Sequence, residues 1–375
     1  MERISTFGQT SFRTAQLRRL ESDLATANRE IATGKKDDVA KSLGAQLITL
    51  QTVRNQYSAN EEYLRTATVF EQRAELMQNS LLESENAAVD LLELASINSG
   101  SAAPSAAALS ITADTVIDRL ATAFNIEIQG RFLFSGDNVN NAPISLRDNP
   151  GAGGVTPDEV SEQVITGTAP GALAGPDLSI PADAIEAEAL IDRFEAIFQG
   201  GATSNSLLPA PEQFYSFEET LFGGQIGGNL TEIRLPGNSV ITQDSDQFVQ
   251  GLRDVLQGAY MLANVDLNTI TDDDAYQTLM TGGTTGRLGA VDRIAQGLQA
   301  LQEVQSDLGL QQQLVAAARQ DTETEQALFT TQILALEEAD PFETQTRFLQ
   351  IERQLEASYL ATERAYNLTL LNFIR

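Results

Sequence analysis

From Phe348 the apolar positions run Phe348, Ile351, Leu355, Tyr359, Thr362, Tyr366, Leu370 and Phe373, in steps of 3, 4, 4, 3, 4, 4 and 3. That is a repeat of eleven, with Thr362 its weakest member. Near the other end, Leu17, Leu20, Leu24 and Ile31 fall at steps of 3, 4 and 7. Each pattern predicts one amphipathic helix with an apolar stripe and little mass nearby to cover it. Such helices take most of their stability from packing the stripe. The two stripes are therefore expected to meet each other or neighbouring copies of the chain. Eleven residues over three turns is 3.67 per turn, a stripe that runs nearly straight or drifts right-handed.

Between these ends lie longer patterns. No Gly or Pro interrupts 45–99, which predicts a single long helix. Within it Ala67, Phe70, Ala74, Met77, Leu81, Ser84, Ala88, Leu91 and Ala95 step 3 and 4 throughout, a seam whose small residues permit close helix approach. Further helices are predicted over 105–129, 244–262 and 288–339, the last weakened at Gly297 and Gly309. Breaks set off both terminal helices. Gly34, in the run Thr33–Asp38, is a helix stop. Asp340-Pro341-Phe342-Glu343 is a helix start, with Asp340 as cap, Pro341 in the first turn and Glu343 able to reach back.

Nine of the eleven prolines lie between Pro143 and Pro236, with the glycine run Gly151–Gly154 among them. Short apolar runs such as Val160–Ile165 lie between these turn signals. This central stretch reads as a largely β surface domain with one helix over 184–198, or as disordered in part, chiefly over 148–180. The predicted fold is mainly α with an inserted β-rich domain, in nested layers: 1–42 with 342–375, then 43–137 with 244–341, then 138–243.

Composition narrows the chemistry. Cys, His and Trp are absent, so there is no thiolate, disulfide or imidazole. The balance of 24 basic against 52 acidic residues argues against nucleic acid and against an anionic membrane as partners. The three lysines are Lys35, Lys36 and Lys41, and Arg3, Arg13, Arg18 and Arg19 face only Glu2 in the first twenty residues. This less acidic segment is either a solvated face or a surface for acidic groups of a neighbouring subunit. Residues 1–30 hold no apolar core ending in a small-residue cleavage site, so no general secretory signal is expected. Asp272-Asp273-Asp274 lacks the spacing of a calcium loop and reads as a solvated loop before a helix. Gly282–Arg287 lacks the Gly-Lys-Ser/Thr of a phosphate loop and reads as a flexible connection. The acids of 138–243 allow a carboxylate-based glycan hydrolase, but none sits in an apolar setting that would raise its pKa. No catalytic residue, metal ligand or cofactor is expected.

Several passages carry a resemblance. They are Ile4-Ser5-Thr6, Ala32-Thr33-Gly34-Lys35-Lys36 with Asp37-Asp38, Gly130-Arg131-Phe132-Leu133-Phe134-Ser135-Gly136 followed by Pro143, and Asp307-Leu308-Gly309. Asp340-Pro341, Leu355-Glu356-Ala357-Ser358-Tyr359 and Leu368–Phe373 complete the set. Together they resemble the flagellar hook-associated protein 3 family, the hook–filament junction proteins of bacteria, relatives of flagellin. The likeness covers about 1–145 and 245–375. It implies terminal helices, a bundle layer with a small hairpin and a variable outer domain. It also implies a non-enzymatic structural role outside the cell, after type III export without a cleavable signal. The implied partners are further copies in a ring, the other hook-associated junction protein, flagellin and an export chaperone covering the C-terminal stripe. A flagellin proper is the alternative. Independently, Phe132 and Phe134 alternating with Leu133 between two glycines predict a short strand packing on the bundle.

Overall fold

The computed structural model describes residues 6–100, 106–128, 130–136, 140, 142–144, 156–169, 173–199, 229–236 and 240–373, without the side chains of 6–10, 229–231, 243–247 and 365–373. Ile4, Ser5, Gly151–Gly154 and Arg375 lie outside it; of the stretch 148–180, only 148–155 and 170–172 do. In chain order the described elements are α1 (Thr6–Thr33), α2 (Val39–Leu43), α3 (Gln46–Ile97), α4 (Ala106–Phe124), β1 (Glu127–Ile128), β2 (Arg131–Phe132), α5 (Pro157–Thr166) and α6 (Ala184–Gln199). Then follow β3 (Asn229–Arg234), β4 (Val240–Asp244), α7 (Ser245–Asn264), α8 (Asp273–Thr281), α9 (Ala290–Glu337) and α10 (Pro341–Phe373). The chain forms two compact units, Met1–Leu64 with Gln320–Arg375 and Arg65–Arg319. The long helices α3 and α9 contribute to both.

The larger unit takes its core from the predicted seam. All nine seam residues of α3, from Ala67 to Ala95, are buried. Helix α4 packs on α7, burying Leu109, Ala113, Val116, Ile117 and Leu120 along one face. Helix α9 runs unbroken through both glycines. A Cβ on Gly297 would lie 2.7 Å from the Gly251 carbonyl oxygen and the Val255 nitrogen of α7, so glycine is what lets α7 and α9 cross this closely. Asp272 caps α8, accepting from the Ala275 amide at 2.8 Å. The Tyr276 hydroxyl of α8 donates to the Asn98 carbonyl just past the end of α3 at 2.9 Å.

The Gly130–Gly136 motif forms the turn and second strand of a hairpin, with Ile128 opposite Arg131 and Glu127 opposite Phe132. Gly130 turns it at φ +78°, in the left-handed region open to glycine. Leu133, Phe134 and Ser135 are buried. The Phe134 ring stacks on Phe248 of α7 at 4.6 Å and meets Phe124 of α4 edge-on at 5.1 Å. The motif thus pins the hairpin to the α4–α7 pair.

The described part of 138–243 departs from the β-rich expectation. It holds two helices, α5 and α6, and one antiparallel hairpin, β3–β4. The run Val160–Ile165, expected as strand, lies in α5. Thr156 and Glu159 form a reciprocal capping box with Pro157 in the first turn, and Val160, Val164 and Ile165 fall on the buried side. The cap settled the helix against the β-branched composition of the run. Helix α6 then packs on α7 and α8. Its fully buried Arg193 donates to the Val164 and Pro176 carbonyls, each at 2.7 Å, which ties down the end of α5 and the following loop. Burial lowers this guanidinium to a pKa of about 10, with Asp177 opposing the shift.

A second polar group joins α6, α7, α9 and the 282–289 loop. Arg287 pairs with Asp192 at 2.7 Å and Glu195 at 2.9 Å. Arg293 reaches Glu195 at 3.5 Å and Asp254 at 3.4 Å, and Gln199 donates to Asp254 at 2.7 Å. Burial pushes the Asp254 carboxyl above its ordinary range, against the opposing pull of Arg293, Gln250 and Gln199. The loop expected to be flexible is therefore anchored at Arg287.

Candidate assembly interface

The smaller unit holds both terminal helices. Helices α1 and α10 pack against each other. On α10 the shielded positions are Thr344, Phe348, Ile351, Leu355, Ser358 and Thr362, with Thr344, Ile351 and Leu355 buried. Their steps are 4, 3, 4, 3 and 4, the spacing of a coiled-coil seam. On α1, Leu17, Leu20 and Leu24 are half-buried and Ala27 is fully buried. The single chain thus holds both segments as paired helices, one of the two arrangements their stripes allow. Small residues make this possible: Ala27, Ser358 and Thr362 occupy seam positions and allow close approach.

The observed seam differs from the eleven-residue stripe. The two agree at Phe348, Ile351, Leu355 and Thr362 and part at Tyr359, which is 51% exposed while Ser358 takes the seam position. The Tyr359 hydroxyl instead donates to Glu21 of α1 at 2.8 Å. That hydrogen bond, followed by desolvation and the Glu21 charge, raises the phenol above its usual range. Among the described side chains the stripe leaves the seam at this one position. Leu349 and Leu360 are exposed, and so are Phe12, Ile31 and Phe342. Tyr366, Leu370 and Phe373 lie on α10, with side chains outside the described residues.

Where both terminal segments break, the breaks are joined. Gly34, at φ +67°, ends α1 and donates its amide to the Glu30 carbonyl at 2.8 Å. The next residues pair with the end of α9: Lys36 N donates to Glu337 O at 2.9 Å, and Ala339 N to Gly34 O at 3.0 Å. Side chains reinforce this clasp. The Lys36 ammonium donates to the Leu336 carbonyl at 2.9 Å. Lys35 pairs with Glu337 at 3.3 Å, and Arg54 Nε donates to the same carboxylate at 3.1 Å. Burial alone would raise Glu337, but hydrogen bonds and charge from Arg54 and Lys35 outweigh it and hold the carboxyl below its ordinary value. Across the pair, Arg347 of α10 bonds the buried Glu30 of α1. Asp340 caps α10 as expected, accepting from the Phe342 amide at 2.9 Å and the Glu343 amide at 3.2 Å.

Beside the clasp, α1 and α10 leave a cleft of about 440 Å³ lined by Ile31, Gly34, Pro341, Phe348 and Leu349. Phe342, next in sequence to Pro341, is exposed. Glu30, Arg54, Glu337 and Arg347 escaped sequence reasoning because their partners lie some 300 positions away. The arrangement offers association chemistry: apolar area beside ordered charges on rigid helices. No described helix is long and apolar enough to cross a membrane.

Residues 291–374, nearly all of α9 and α10, match the family described as the bacterial flagellin C-terminal helical region. The match covers 84 of the 375 residues. No curated protein matches the chain.

Proposed function

We propose that this chain is a junction protein of the bacterial flagellum, assembled as a ring of copies between hook and filament through its terminal helices. The carrying observation is the α1–α10 pair, which seals its own seam and still leaves Phe12, Ile31, Phe342, Leu349 and Leu360 open to a neighbour. The short Thr33–Asp38 break and the Gly130–Gly136 hairpin motif favour the junction role within the superfamily. In this reading the role is structural and not catalytic. The protein acts outside the cell after type III export, and an export chaperone covers the apolar face of α10 in transit. The ring would contact the other hook-associated junction protein on one side and flagellin on the other. The layered division at 42, 137, 243 and 341 belongs to the same proposal.

The family match itself, to a flagellin region, favours a second reading as filament subunit. Deleting the gene separates them. Hooks that bear no filament while flagellin is secreted into the medium support the junction role. Normal filaments on those hooks refute both readings. Immunogold labelling of intact flagella gives the complementary result, since labelling along the whole filament identifies a flagellin and a single band at its base a junction protein.

A further inference from the structure

The polar joint between α6, α7, α9 and the 282–289 loop holds one more acid than base. Its carboxyl groups are Asp192, Glu195 and Asp254, and its cations are Arg287 and Arg293. The pairing is uneven. Arg287 sits tightly between Asp192 at 2.7 Å and Glu195 at 2.9 Å, whereas Arg293 is stretched between Glu195 at 3.5 Å and Asp254 at 3.4 Å. Asp254 is fully buried and Arg293 nearly so. Among the described residues Arg293 is the one cation that acts on Asp254. Helices α4 and α5 also pack on α7, but none of their described charged groups pairs with Asp254. Its other partners are neutral amides: Gln199 donates to Oδ1 at 2.7 Å and Gln250 to Oδ2 at 3.3 Å. Gln199 also donates to the side-chain oxygen of Gln257 at 3.1 Å, and the buried Gln257 Nε2 has no partner among the described residues. A buried carboxylate that shares a distant guanidinium with a second acid is poorly compensated. Its more weakly held oxygen, Oδ2, can take a proton without disturbing the packing. The neutral acid has the same shape, still accepts from both glutamines, and leaves two carboxylates facing two guanidiniums.

We propose that Asp254 is a binding site for a single proton, and that its occupancy governs how firmly α6 is docked on α7 and α9. The step forms one O–H bond at Oδ2 with a proton from solvent, and no other bond changes. Opening the joint returns Asp254 to water, where it ionises as an ordinary carboxyl group. Burial sets its folded-state pKa above the unfolded value near 3.9. Docking is therefore firmest below the unfolded value and loosens as pH rises through the folded one. The Glu337 clasp has the opposite sign, since its carboxyl is held below its ordinary value. Acid thus tightens the joint of the inserted helices and loosens the clasp of the terminal ones. None of this depends on how copies assemble.

Amide hydrogen exchange on the full chain, corrected for its intrinsic pH dependence, tests this over 184–199, with α4 as reference and circular dichroism to verify helix content. The range runs from about pH 4.5 to about pH 7, above the unfolded carboxylate values. Asp177, held below its ordinary value first by the Ser179 amide, changes only below this range. Protection of α6 in the parent is expected to fall at least about threefold across it, with about tenfold per pH unit the ceiling for one proton. Asp254→Asn, uncharged and of the same shape, is expected to hold α6 at the parent's acid level throughout. Glu85 of α3 is also raised by burial, but it is present in both chains, so a slope it caused would survive the substitution. A parent profile that is flat or rises with pH overturns the proton site. So does a slope that persists in Asp254→Asn. A slope that α4 shares equally overturns the coupling to docking. If Asp254→Asn loses helix content, Asp254→Ser takes its place, and a parent-like slope there is equally decisive against the site.

Discussion

Leu355→Asp should separate the terminal helices while leaving the larger unit intact. Leu355 is 7% exposed at the middle of the α10 seam. Truncating a buried leucine costs about 2–5 kcal/mol, and the carboxylate adds a desolvation penalty. We therefore expect at least about 3 kcal/mol, enough for more than a hundredfold rise in local opening at 1.4 kcal/mol per tenfold. The natural control is Leu360→Asp, five residues on and 56% exposed. As a surface change it should shift the same equilibrium by no more than about 0.5 kcal/mol, roughly twofold. Amide hydrogen exchange on the full chain reads both, with 17–31 and 348–362 as reporters and α4 as internal reference. Leu355→Asp should erase protection in the reporters and leave α4 unchanged. Parent-like protection in that variant would refute the seam, and so would an equal loss in Leu360→Asp.

Three further outcomes are expected. Glu337 has a depressed folded-state pKa, so its contribution is full above the unfolded carboxylate value near 4.3 and is lost as pH falls through the folded value; acid titration of exchange at 34–40 should show this loosening, and Glu337→Gln should remove the pH dependence. Phe134→Ala deletes a ring stacked on Phe248 and edge-on to Phe124, and should cost about 3–5 kcal/mol in denaturant unfolding, with Phe134→Leu recovering part. Gly297→Ala forces a Cβ to within 2.7 Å of α7 backbone and should destabilise by about 1–3 kcal/mol, whereas Gly309→Ala meets only Gln78 Nε2 at 3.5 Å and should stabilise by up to about 1 kcal/mol through helix propensity.

Where periodicity ran uninterrupted, the sequence was informative. The nine seam residues of α3 are all buried because a 3–4 repeat sustained over four heptads leaves one face for the core. Gly34 and Asp340 were legible for local reasons, since a left-handed stop and a capping carboxylate act on their own backbone. Helix α5 was legible too, through Thr156-Pro157-Asp158-Glu159, but its β-branched run drew attention away from the cap. The α10 seam was misread at Tyr359 because hydropathy gives weight to Tyr359 and none to Ser358. Which of two adjacent residues faces the partner depends on how closely the helices approach. Long-range polar contacts left no local trace. Nothing near Lys35 points to Glu337, and nothing near Asp254 points to Arg293.

The clasp explains how the terminal pair can be both ordered and open. Two helices alone bury only one stripe each, which is marginal against the entropy of ordering them. Here the breaks at Gly34 and Asp340 lie side by side, and the bridge from Gly34–Lys36 to Glu337–Ala339 closes the pair at one end. Closing that end turns the meeting of α1 and α10 from a search over some 300 intervening residues into the zipping of neighbours. The seam can then be short and built partly of Ala, Ser and Thr, and the larger apolar residues are released to the outside. Leu360 is exposed because the pair does not need it. An assembly surface can thus stay presented on a folded chain, and Ser358→Leu, by crowding this close approach, should loosen the pair and lower amide protection over 348–362.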